Sequence, residues 1–402
     1  MDPPYTPEDD RGCYGDTSNP CTPLSSAYIG LSYANFEHKY REASLVVSLQ
    51  LDRKIAAETA PVWAKVKDFV TPMEWPVKAL LIHEINALKK ERDAVILAHN
   101  YMTPDIFHGV GDYVGDSLGL AKEAARSKAR VIVQAGVHFM AETSKILSPD
   151  KTVLIPDLKA GCSLAEAITG ADVRLIKQRY PGLPVVTYVN TTADVKAETD
   201  ICCTSANAVQ VVEWAAREWG VDRVILIPDE FLARNVAAQT SVGIIAWKGR
   251  CIVHEKFRAA DIAEMREAYP GAEILAHPEC PEDVLAAADF AGSTAAMTDY
   301  ITSRKPKQVV LLTECSMADN IKGDLPEVNF IGPCNLCPYM QRITLTNIRD
   351  CLRDMKFEVT VPEQMIARAA LAVQRMIDLP PPAVPARYDL VKARHHVAVE
   401  LI

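Results

Sequence analysis

The sequence predicts an α/β protein built from three similar three-layer αβα domains with parallel sheets, arranged with pseudo-threefold symmetry around a central active site. Short apolar runs alternate with helical stretches from about Val77 onward, which is typical of βαβ units and a parallel sheet. Polar triplets recur at a fixed interval behind some of these runs, and one cysteine recurs near the end of every repeat. Together these observations indicate an internal threefold repeat.

The first element of each repeat is an apolar run that ends in a polar triplet. The triplets start at His99, Tyr188 and His277, so that both intervals are 89 residues long. Ligands of α/β sheets bind beyond the carboxyl ends of the strands, which is where these triplets lie. We therefore expect the triplets of all three repeats to face one site.

A hydroxyl residue opens the helical stretch that follows each triplet, at Ser117, Ser205 and Thr294. Such residues commonly cap a helix by accepting hydrogen bonds from its free backbone N–H groups. Helix ends of this kind also favour anions, because the N–H groups and the positive end of the helix dipole point the same way. Both roles are compatible, and three helix ends around one cavity would suit substrates with several carboxylate or phosphate groups.

Two further strands and a cysteine complete each repeat. The second strand recurs as 131–133, 224–226 and 309–311, the third as 153–155, 244–246 and 328–330, and the cysteine as Cys162, Cys251 and Cys337. Units of this size are small for independent cores, so packing about a threefold axis is the simplest arrangement. That packing would bring the three thiols to one central cavity.

The repeat sets the predicted domain boundaries. We expect repeats at 76–168, 169–256 and 257–339, with the C-terminal segment 340–402 completing the first repeat. Residues 1–75 share no pattern with the repeats, and we interpret them as an N-terminal extension that ends in a linker around Pro72 to Pro76.

Composition argues against several classes of protein. The net charge of -9 and the lack of Lys/Arg blocks argue against a nucleic-acid or anionic-membrane partner. No apolar stretch is long enough to span a membrane, and the amino terminus does not resemble a signal peptide, so we expect a cytoplasmic protein. In that compartment the eleven cysteines should be reduced, which favours metal ligation or plain burial over disulfides.

The three recurring cysteines allow more than one kind of site. They could bind zinc with a fourth ligand, bind a [4Fe-4S] cluster with one iron free of protein, or simply be buried. Ligands supplied one per repeat favour the cluster, because structural zinc sites usually take paired ligands from a local turn. We interpret Cys202, Cys203, Cys280, Cys315 and Cys351 as small buried apolar residues, whereas Cys334 could pair with Cys337 or be a spare ligand.

The triplets also supply acid and base groups. These are His99, Tyr101, Tyr188, Asn190, His277 and Glu279. One such residue at a strand end is more often structural, but recurrence at one repeat position favours a functional role. His254 and Glu255, which follow Cys251, are further candidates.

Many motifs resemble those of quinolinate synthase. They are His99-Asn100-Tyr101, Gly115-Asp116-Ser117-Leu118, Ala160-Gly161-Cys162-Ser163, Tyr188-Val189-Asn190-Thr191-Thr192-Ala193, Thr204-Ser205-Ala206-Asn207-Ala208, Trp247-Lys248-Gly249-Arg250-Cys251-Ile252-Val253-His254-Glu255, His277-Pro278-Glu279-Cys280-Pro281, Gly292-Ser293-Thr294 and Cys337-Pro338-Tyr339-Met340. Because they occur in one order between about Val77 and Ala370, the resemblance is specific. The loop between Tyr101 and Ser117 is one residue longer than the usual family spacing, so side chains within it, such as His108, are not carried over.

The resemblance implies a three-domain fold with one [4Fe-4S] cluster per chain, held by Cys162, Cys251 and Cys337. It implies a transferase of de novo NAD biosynthesis that condenses iminoaspartate with dihydroxyacetone phosphate to quinolinate, phosphate and water. The open iron of the cluster would act as a Lewis acid. L-Aspartate oxidase, which makes the unstable imine, is the transient partner that the resemblance suggests.

The resemblance also implies roles for individual residues. Substrate would contact His99, Ser117, Tyr188, Val189, Asn190, Ser205, His277, Pro278, Glu279 and Thr294. The catalytic groups would be Tyr101, Tyr188, His277 and Glu279. Of these, Tyr101 and Glu279 are the candidates for proton transfer.

Two other functions stay open at this point. One is a different cluster-dependent hydro-lyase, which would remove water from a single hydroxy acid without forming a carbon–carbon bond. The other is a non-catalytic redox sensor that carries a cluster. A sensor of that class would need a basic nucleic-acid face, which the acidic composition does not offer.

Overall fold

The structure is a computed structural model that describes residues 51–380 and 399–402. The predicted extension, residues 1–75, therefore lies largely outside the described residues. Three parallel sheets with helices packed around them form the described part, which confirms the predicted α/β class. Within that part, no helix combines the length and the apolar character that crossing a membrane requires.

The first repeat contains a four-stranded parallel sheet. Its strands are β1 (Ala94–His99), β2 (Tyr113–Gly115), β3 (Val131–Ala135) and β4 (Thr152–Leu154), in the order β2-β1-β3-β4. Its helices are α1 (Arg53–Val66), α2 (Trp75–Arg92), α3 (Pro104–Phe107), α4 (Ser117–Arg126), α5 (His138–Leu147) and α6 (Ser163–Glu166). Ala98 lies opposite Ala135, so His99 ends β1 at the carboxyl edge of the sheet.

The second repeat has the same topology. Its strands are β5 (Val185–Tyr188), β6 (Ile201–Cys203), β7 (Arg223–Ile227) and β8 (Gly243–Ala246), in the order β6-β5-β7-β8. Its helices are α7 (Gly170–Arg179), α8 (Ala193–Glu198), α9 (Ala208–Trp219) and α10 (Glu230–Ala237), followed by a 3₁₀ turn at His254–Lys256. Thr187 pairs with Ile227, which brings Tyr188 to the carboxyl edge.

The third repeat again has this topology. Its strands are β9 (Glu273–Ala276), β10 (Phe290–Ala291), β11 (Gln308–Leu312) and β12 (Asn329–Ile331), in the order β10-β9-β11-β12. Its helices are α11 (Ala259–Ala268), α12 (Glu282–Ala287), α13 (Thr294–Arg304) and α14 (Ser316–Asp324), followed by a 3₁₀ turn at Met340–Arg342. Ala276 pairs with Leu312, so His277 begins the loop beyond the strand.

The sequence predicted three strands for each repeat, whereas each repeat contributes four strands to its sheet. The additional strands are β2, β6 and β10, which lie at one edge of their sheets beside the first strand of the repeat. They contain only two or three residues, so no apolar periodicity distinguishes them from a loop. Their position explains why the loop after each triplet returns to the carboxyl edge before the next helix begins.

The C-terminal segment contacts two repeats. Helix α15 (Leu345–Asp354) packs against α2 and β3 of the first repeat. Helix α16 (Glu363–Asp378) packs mainly against α8 and β6 of the second repeat and against α5 of the first. Strand β13 (Val399–Leu401) pairs in parallel with β8 and so extends the second sheet.

The stretch around Pro72 to Pro76 is not the linker that the sequence suggested. Helix α2 already begins at Trp75, and a proline in the first turn of a helix is tolerated because its missing N–H has no helical partner. Val66, Val70 and Trp75 are buried in the main hydrophobic core, so α1 and this turn pack on the first repeat.

The interpretation of the cysteines is wrong at two positions. Cys315 and Cys334 form a disulfide, so Cys315 is not simply a buried apolar residue and Cys334 does not pair with Cys337. The cause lies in the sheet: a β-bridge between Glu314 and Asn335 continues the pairing of β11 with β12 beyond both strands. This continuation places Cys315 and Cys334 side by side, with their Cα atoms 5.0 Å apart.

Candidate active site

One pocket at the carboxyl edges of the sheets takes residues from all three repeats. The predicted residues that line it are His99, Tyr101, Ser117 and Cys162 from the first repeat, Tyr188, Asn190, Ser205 and Cys251 from the second, and His277, Glu279, Thr294 and Cys337 from the third. Two predicted substrate contacts, Val189 and Pro278, are not among the lining residues. The repeat positions therefore converge on one pocket, and the roles of the individual residues remain predictions.

A chain of buried hydrogen bonds crosses this pocket. Tyr188 donates from its phenol to Oε1 of Glu279 at 2.5 Å, and Oε2 of Glu279 lies 2.8 Å from Nδ1 of His254. The other ring nitrogen of His254 lies 3.0 Å from Oγ1 of Thr313, which lies 2.6 Å from the phenol oxygen of Tyr101. The five side chains come from three repeats and connect the two tyrosines through groups that can carry a proton.

The two triplet histidines are held in the same way. The backbone N–H of Tyr101 donates to Nδ1 of His99 at 3.2 Å, and that of Glu279 donates to Nδ1 of His277 at 3.3 Å. Burial lowers the pKa of His99 to about 4 and that of His277 to about 3. Both rings are therefore neutral near pH 7 with the proton on Nε2, which makes each a hydrogen-bond donor.

Glu279 is held in its ionised form although its side chain is buried. Burial by itself raises the pKa of the carboxyl group, but the neighbouring His254 and the hydrogen bonds from His254 and Tyr188 outweigh this and lower it. Burial and the charge of Glu279 raise the pKa values of Tyr101 and Tyr188 well above the usual value. The pocket thus places an ionised carboxylate beside two protonated phenols, the types of group used in general acid–base catalysis.

The three recurring cysteines enter the pocket from the loops that follow β4, β8 and β12. Burial raises the pKa of all three thiols, that of Cys162 to about 12. Cysteine binds metals as the thiolate, so metal binding would have to displace these protons. Cys251 also forms a group with His254 and Glu279 whose ligand atoms lie within 4.8 Å of one another, and these donor types suit a metal ion.

Helix α6 connects the three cysteine loops. It directly follows the first of the cysteines, and its Ser163 donates to the carbonyl oxygen of Arg250 at 3.0 Å and accepts from the N–H of Ile252 at 3.2 Å. Glu166 of the same helix accepts a 2.8 Å hydrogen bond from the phenol of Tyr339. One short helix of the first repeat therefore fixes the backbone next to the cysteine of the second repeat and the loop that carries the cysteine of the third.

The hydroxyl residues that open the helices do not cap them. Asp116 caps α4 and Ser293 caps α13, each by accepting a hydrogen bond from a backbone N–H of the first turn. Ser117 and Thr294 are instead the first helical residues and line the pocket. Ser205 lies in the turn before α9, with Oγ 3.4 Å from Nε2 of His277. All three hydroxyls thus lie where a bound ligand would meet them.

Comparison with known proteins identifies the family. A family model described as "Quinolinate synthetase A protein" matches residues 83–378. The chain is 76% identical over 349 residues to a quinolinate synthase of Caulobacter vibrioides, which covers 87% of this chain and 95% of the relative. It is 60% identical over 325 residues to a quinolinate synthase of Sinorhizobium fredii, covering 81% of this chain and 89% of the relative. The chain belongs to the quinolinate synthetase A family. The resemblance found in the sequence motifs is therefore confirmed, and with it a place among the enzymes of NAD biosynthesis.

In this member of the quinolinate synthetase A family, the pocket includes groups that the sequence did not single out. Additional lining residues include Val137 and Phe139. Thr313 joins the hydrogen-bond chain and directly follows β11, as Pro228 follows β7 and Gly136 follows β3. The sequence signal for Thr313 was therefore its position directly after the second predicted strand of its repeat. The residues at the equivalent positions of the other two repeats, Gly136 and Pro228, share no chemistry with it.

Proposed function

We propose that this chain condenses iminoaspartate with dihydroxyacetone phosphate to give quinolinate, phosphate and water, as a transferase of NAD biosynthesis. The observation that carries the proposal is the convergence of acid, base, anion-binding and thiol groups from three repeats on one pocket. Family membership supports the product, because relatives with up to 76% identity are named quinolinate synthase.

The proposed cofactor is one [4Fe-4S] cluster held by Cys162, Cys251 and Cys337. The donors fit, because three half-buried thiols reach one pocket from separate loops, and a cluster has separated corners to match them. When bound, such a cluster supplies an open iron that acts as a Lewis acid. Glu279 and His254 lie beside Cys251 and would surround that part of the cofactor.

Substrate binding is assigned to neutral donors and helix ends. Both substrates are anionic, because iminoaspartate has two carboxylates and the triose has a phosphate. His99 and His277 present Nε2–H donors, and Ser117 and Thr294 add hydroxyls at the first residues of α4 and α13, at the positive ends of the helix dipoles. Asn190 supplies an amide from the second repeat. These groups would hold several negative charges despite the acidic chain as a whole.

Proton transfer is assigned to Glu279 and to the tyrosines that it connects. Condensation and ring closure require protons to be removed from carbon and delivered to departing oxygen. Glu279 is an ionised base, and Tyr188 and Tyr101 are protonated acids at either end of the buried chain of hydrogen bonds. His254 and Thr313 lie between them and would return the proton from one end to the other.

The three repeats, with the boundaries 76–168, 169–256 and 257–339, are proposed as three domains around this pocket. Each contains its own parallel sheet and supplies one cysteine. The charge of -9 supports an enzyme without nucleic-acid or anionic-membrane partners, and the proposed location of this enzyme is the cytoplasm. Because the imine is unstable in water, transient contact with L-aspartate oxidase would shorten its exposure.

The assignment is tested with anaerobically purified protein. Cluster-replete chain is incubated with freshly generated iminoaspartate and dihydroxyacetone phosphate, and quinolinate and phosphate are measured together. Equal amounts of both products are expected. Turnover of one substrate alone without phosphate release would indicate a hydro-lyase, and absence of any product from cluster-replete protein would refute the proposed reaction.

The cofactor is tested by replacing cysteines one at a time. Cys162→Ala, Cys251→Ala and Cys337→Ala should each abolish the broad visible absorption of an iron–sulfur cluster. Cys334→Ala and Cys351→Ala are matched controls that should keep it, because neither side chain lines the pocket. Zinc in place of iron and sulfide, lost only with Cys251→Ala, would favour a mononuclear site at Cys251, His254 and Glu279 instead.

A further inference from the structure

The loop after the first strand of each repeat is held by one buried side chain that donates two hydrogen bonds. In the first repeat, Nδ2 of Asn320 donates to the carbonyl oxygens of Asn100 at 2.9 Å and Met102 at 2.8 Å. These two carbonyls lie on either side of Tyr101. The amide of Asn320 thereby fixes the peptide units before and after this tyrosine.

The same arrangement occurs in the third repeat at equivalent positions. Nδ2 of Asn235 donates to the carbonyl oxygens of Pro278 at 2.8 Å and Cys280 at 3.0 Å, on either side of Glu279. Asn235 lies eight residues after the end of β7, and Asn320 lies eight residues after the end of β11. Each asparagine therefore lies in the helix after the second predicted strand of one repeat and donates to the triplet loop of another repeat.

The second repeat uses a lysine for the same purpose. Nζ of Lys196 donates to the carbonyl oxygen of Val189 at 2.8 Å and also to that of Thr191, on either side of Asn190. The ammonium group lies 5.5 Å from the ring centroid of Phe139, which lines the pocket from the first repeat. The accepting carbonyls, 100 and 102, 189 and 191, and 278 and 280, follow the same 89-residue repeat as the triplets.

Packing alone does not account for these donors. Lys196, Asn235 and Asn320 are almost completely buried, and Oδ1 of each asparagine has no hydrogen-bond partner within the described protein. A buried acceptor without a partner costs stability, whereas an apolar residue of the same shape would not incur that cost. Burial of a lysine is also unfavourable, and it lowers the pKa of Lys196. These costs fall on side chains that hold the equivalent carbonyls of all three triplet loops, which indicates a function that these residues serve through the loops.

We propose that Asn320, Lys196 and Asn235 are positioning residues that hold Tyr101, Asn190 and Glu279 in the orientation that the reaction needs. The inference rests on the proposed function of the pocket. Two hydrogen bonds on flanking carbonyls fix the direction in which the Cα–Cβ bond of the central residue points. A side chain that loses this support can rotate away by an ångström, which lowers the rate without removing the reactive group.

The test is a double-mutant cycle in cluster-replete protein. Asn320→Leu should lower kcat on the order of 10- to 100-fold in the otherwise unchanged chain, because the phenol of Tyr101 is no longer held. In a Tyr101→Phe background the same change should have less than about a threefold further effect, because there is no reactive group left to position. Asn235→Leu with Glu279→Gln, and Lys196→Met with Asn190→Ala, should behave alike. If the fold-reduction in kcat of each double mutant equals the product of the two single-mutant reductions in all three cycles, the proposal is overturned.

Two further measurements keep the outcome decisive. Hydrogen exchange of the backbone N–H of Tyr101 in cluster-free chain should be faster in Asn320→Leu, and this readout does not depend on any activity. Asn320→Ala replaces Asn320→Leu if the larger side chain prevents folding. Asn86→Leu is the control, because Asn86 also donates to a loop carbonyl but lies outside the pocket, so kcat should not change.

These measurements separate the two proposals. If the unaltered chain makes no quinolinate but exchange at Tyr101 and Glu279 still depends on the asparagines, the proposed reaction fails and the positioning role stands. If the unaltered chain is active and exchange is unchanged in the variants, the positioning role fails and the reaction stands.

Discussion

The phenol of Tyr188 donates a 2.5 Å hydrogen bond to Oε1 of Glu279, and this contact joins the second repeat to the third inside the pocket. The other carboxylate oxygen of Glu279 lies 2.8 Å from His254, so both oxygens have buried partners. A carboxylate fixed at both oxygens cannot rotate freely, and it keeps its charge because its partners stabilise that form. Glu279 is therefore held in a fixed position with its charge, as its proposed role as a base requires.

Glu279→Gln should lower kcat by about 10²- to 10⁴-fold, because the amide keeps the shape of the side chain but cannot accept a proton. Steady-state quinolinate formation measures the loss, and the visible absorption of the cluster should be unchanged. Glu273→Gln is a matched control, since Glu273 also accepts a short hydrogen bond from a tyrosine, Tyr300, at 2.6 Å but lies outside the pocket. Equal rates for Glu279→Gln and the unaltered chain would show that another group is the base.

Thr313→Val should lower kcat roughly tenfold or more, because valine removes the hydroxyl that links Tyr101 to His254 while keeping the branched shape. Thr313→Ser should restore most of the rate, since serine keeps the hydroxyl. The pH dependence of kcat is recorded for both variants. Thr59→Val, at another buried threonine that donates to the carbonyl of Ile55, is the control for the cost of burying valine. If serine is as slow as valine, the hydroxyl does not take part in proton transfer.

The threefold architecture could be predicted from the sequence because each repeat buries the same kind of strand and then exposes the same kind of loop. The interval of 89 residues between His99, Tyr188 and His277 located the carboxyl edges of three sheets, and all three residues line one pocket. The recurrence of Cys162, Cys251 and Cys337 located the thiols in the same way. Repeat positions that keep the same type of side chain can thus be recognised in a single sequence.

Individual side-chain contacts could not be predicted, because they join residues with no fixed separation along the chain. Thr313 reaches Tyr101 across 212 residues, and the disulfide of Cys315 with Cys334 depends on a β-bridge beyond the strand ends. The split of the C-terminal segment between two repeats has the same origin, since α16 carries no pattern that says which sheet it covers. Such features depend on tertiary packing.

Asp319→Asn should stabilise the chain above about pH 6 and have little effect near pH 4. Burial raises the pKa of Asp319 to about 6, and the positive charge of Lys322 only partly offsets this. Because the folded pKa lies above the usual value of 3.8, the favourable contribution of Asp319 is complete below that pH and is lost as pH rises through about 6. Asp319 lies in a groove that Glu74, Lys78 and Asp105 also line, and these three charged residues are unchanged in the variant.

The gain should stay below about 3 kcal/mol in the free energy of unfolding, because Asp319 is partly exposed and solvent screens its charge. Denaturant unfolding of the cluster-free chain between about pH 4 and pH 8 measures it. Asp299→Asn, at an exposed carboxyl on helix α13, is the control for replacing a carboxylate by an amide. A constant difference between Asp319→Asn and the unaltered chain at every pH would contradict the assigned direction of the pKa shift.

Tyr339→Phe and Ser163→Ala should each speed the loss of the proposed cluster, because the three hydrogen bonds of Ser163 and Glu166 tie the loops of the three cysteines together. Without the hydroxyl of Tyr339, Glu166 no longer holds the loop of the third cysteine. That loop is then free to move, so its thiolate can leave the cluster more often. The rate at which visible absorption decays with a ferrous chelator measures this, and a roughly 10- to 100-fold rise is expected. Tyr300→Phe removes a similar tyrosine–glutamate hydrogen bond outside the pocket and should decay like the unaltered chain. If all three variants lose the cluster at one rate, the thiolates hold it without help from α6.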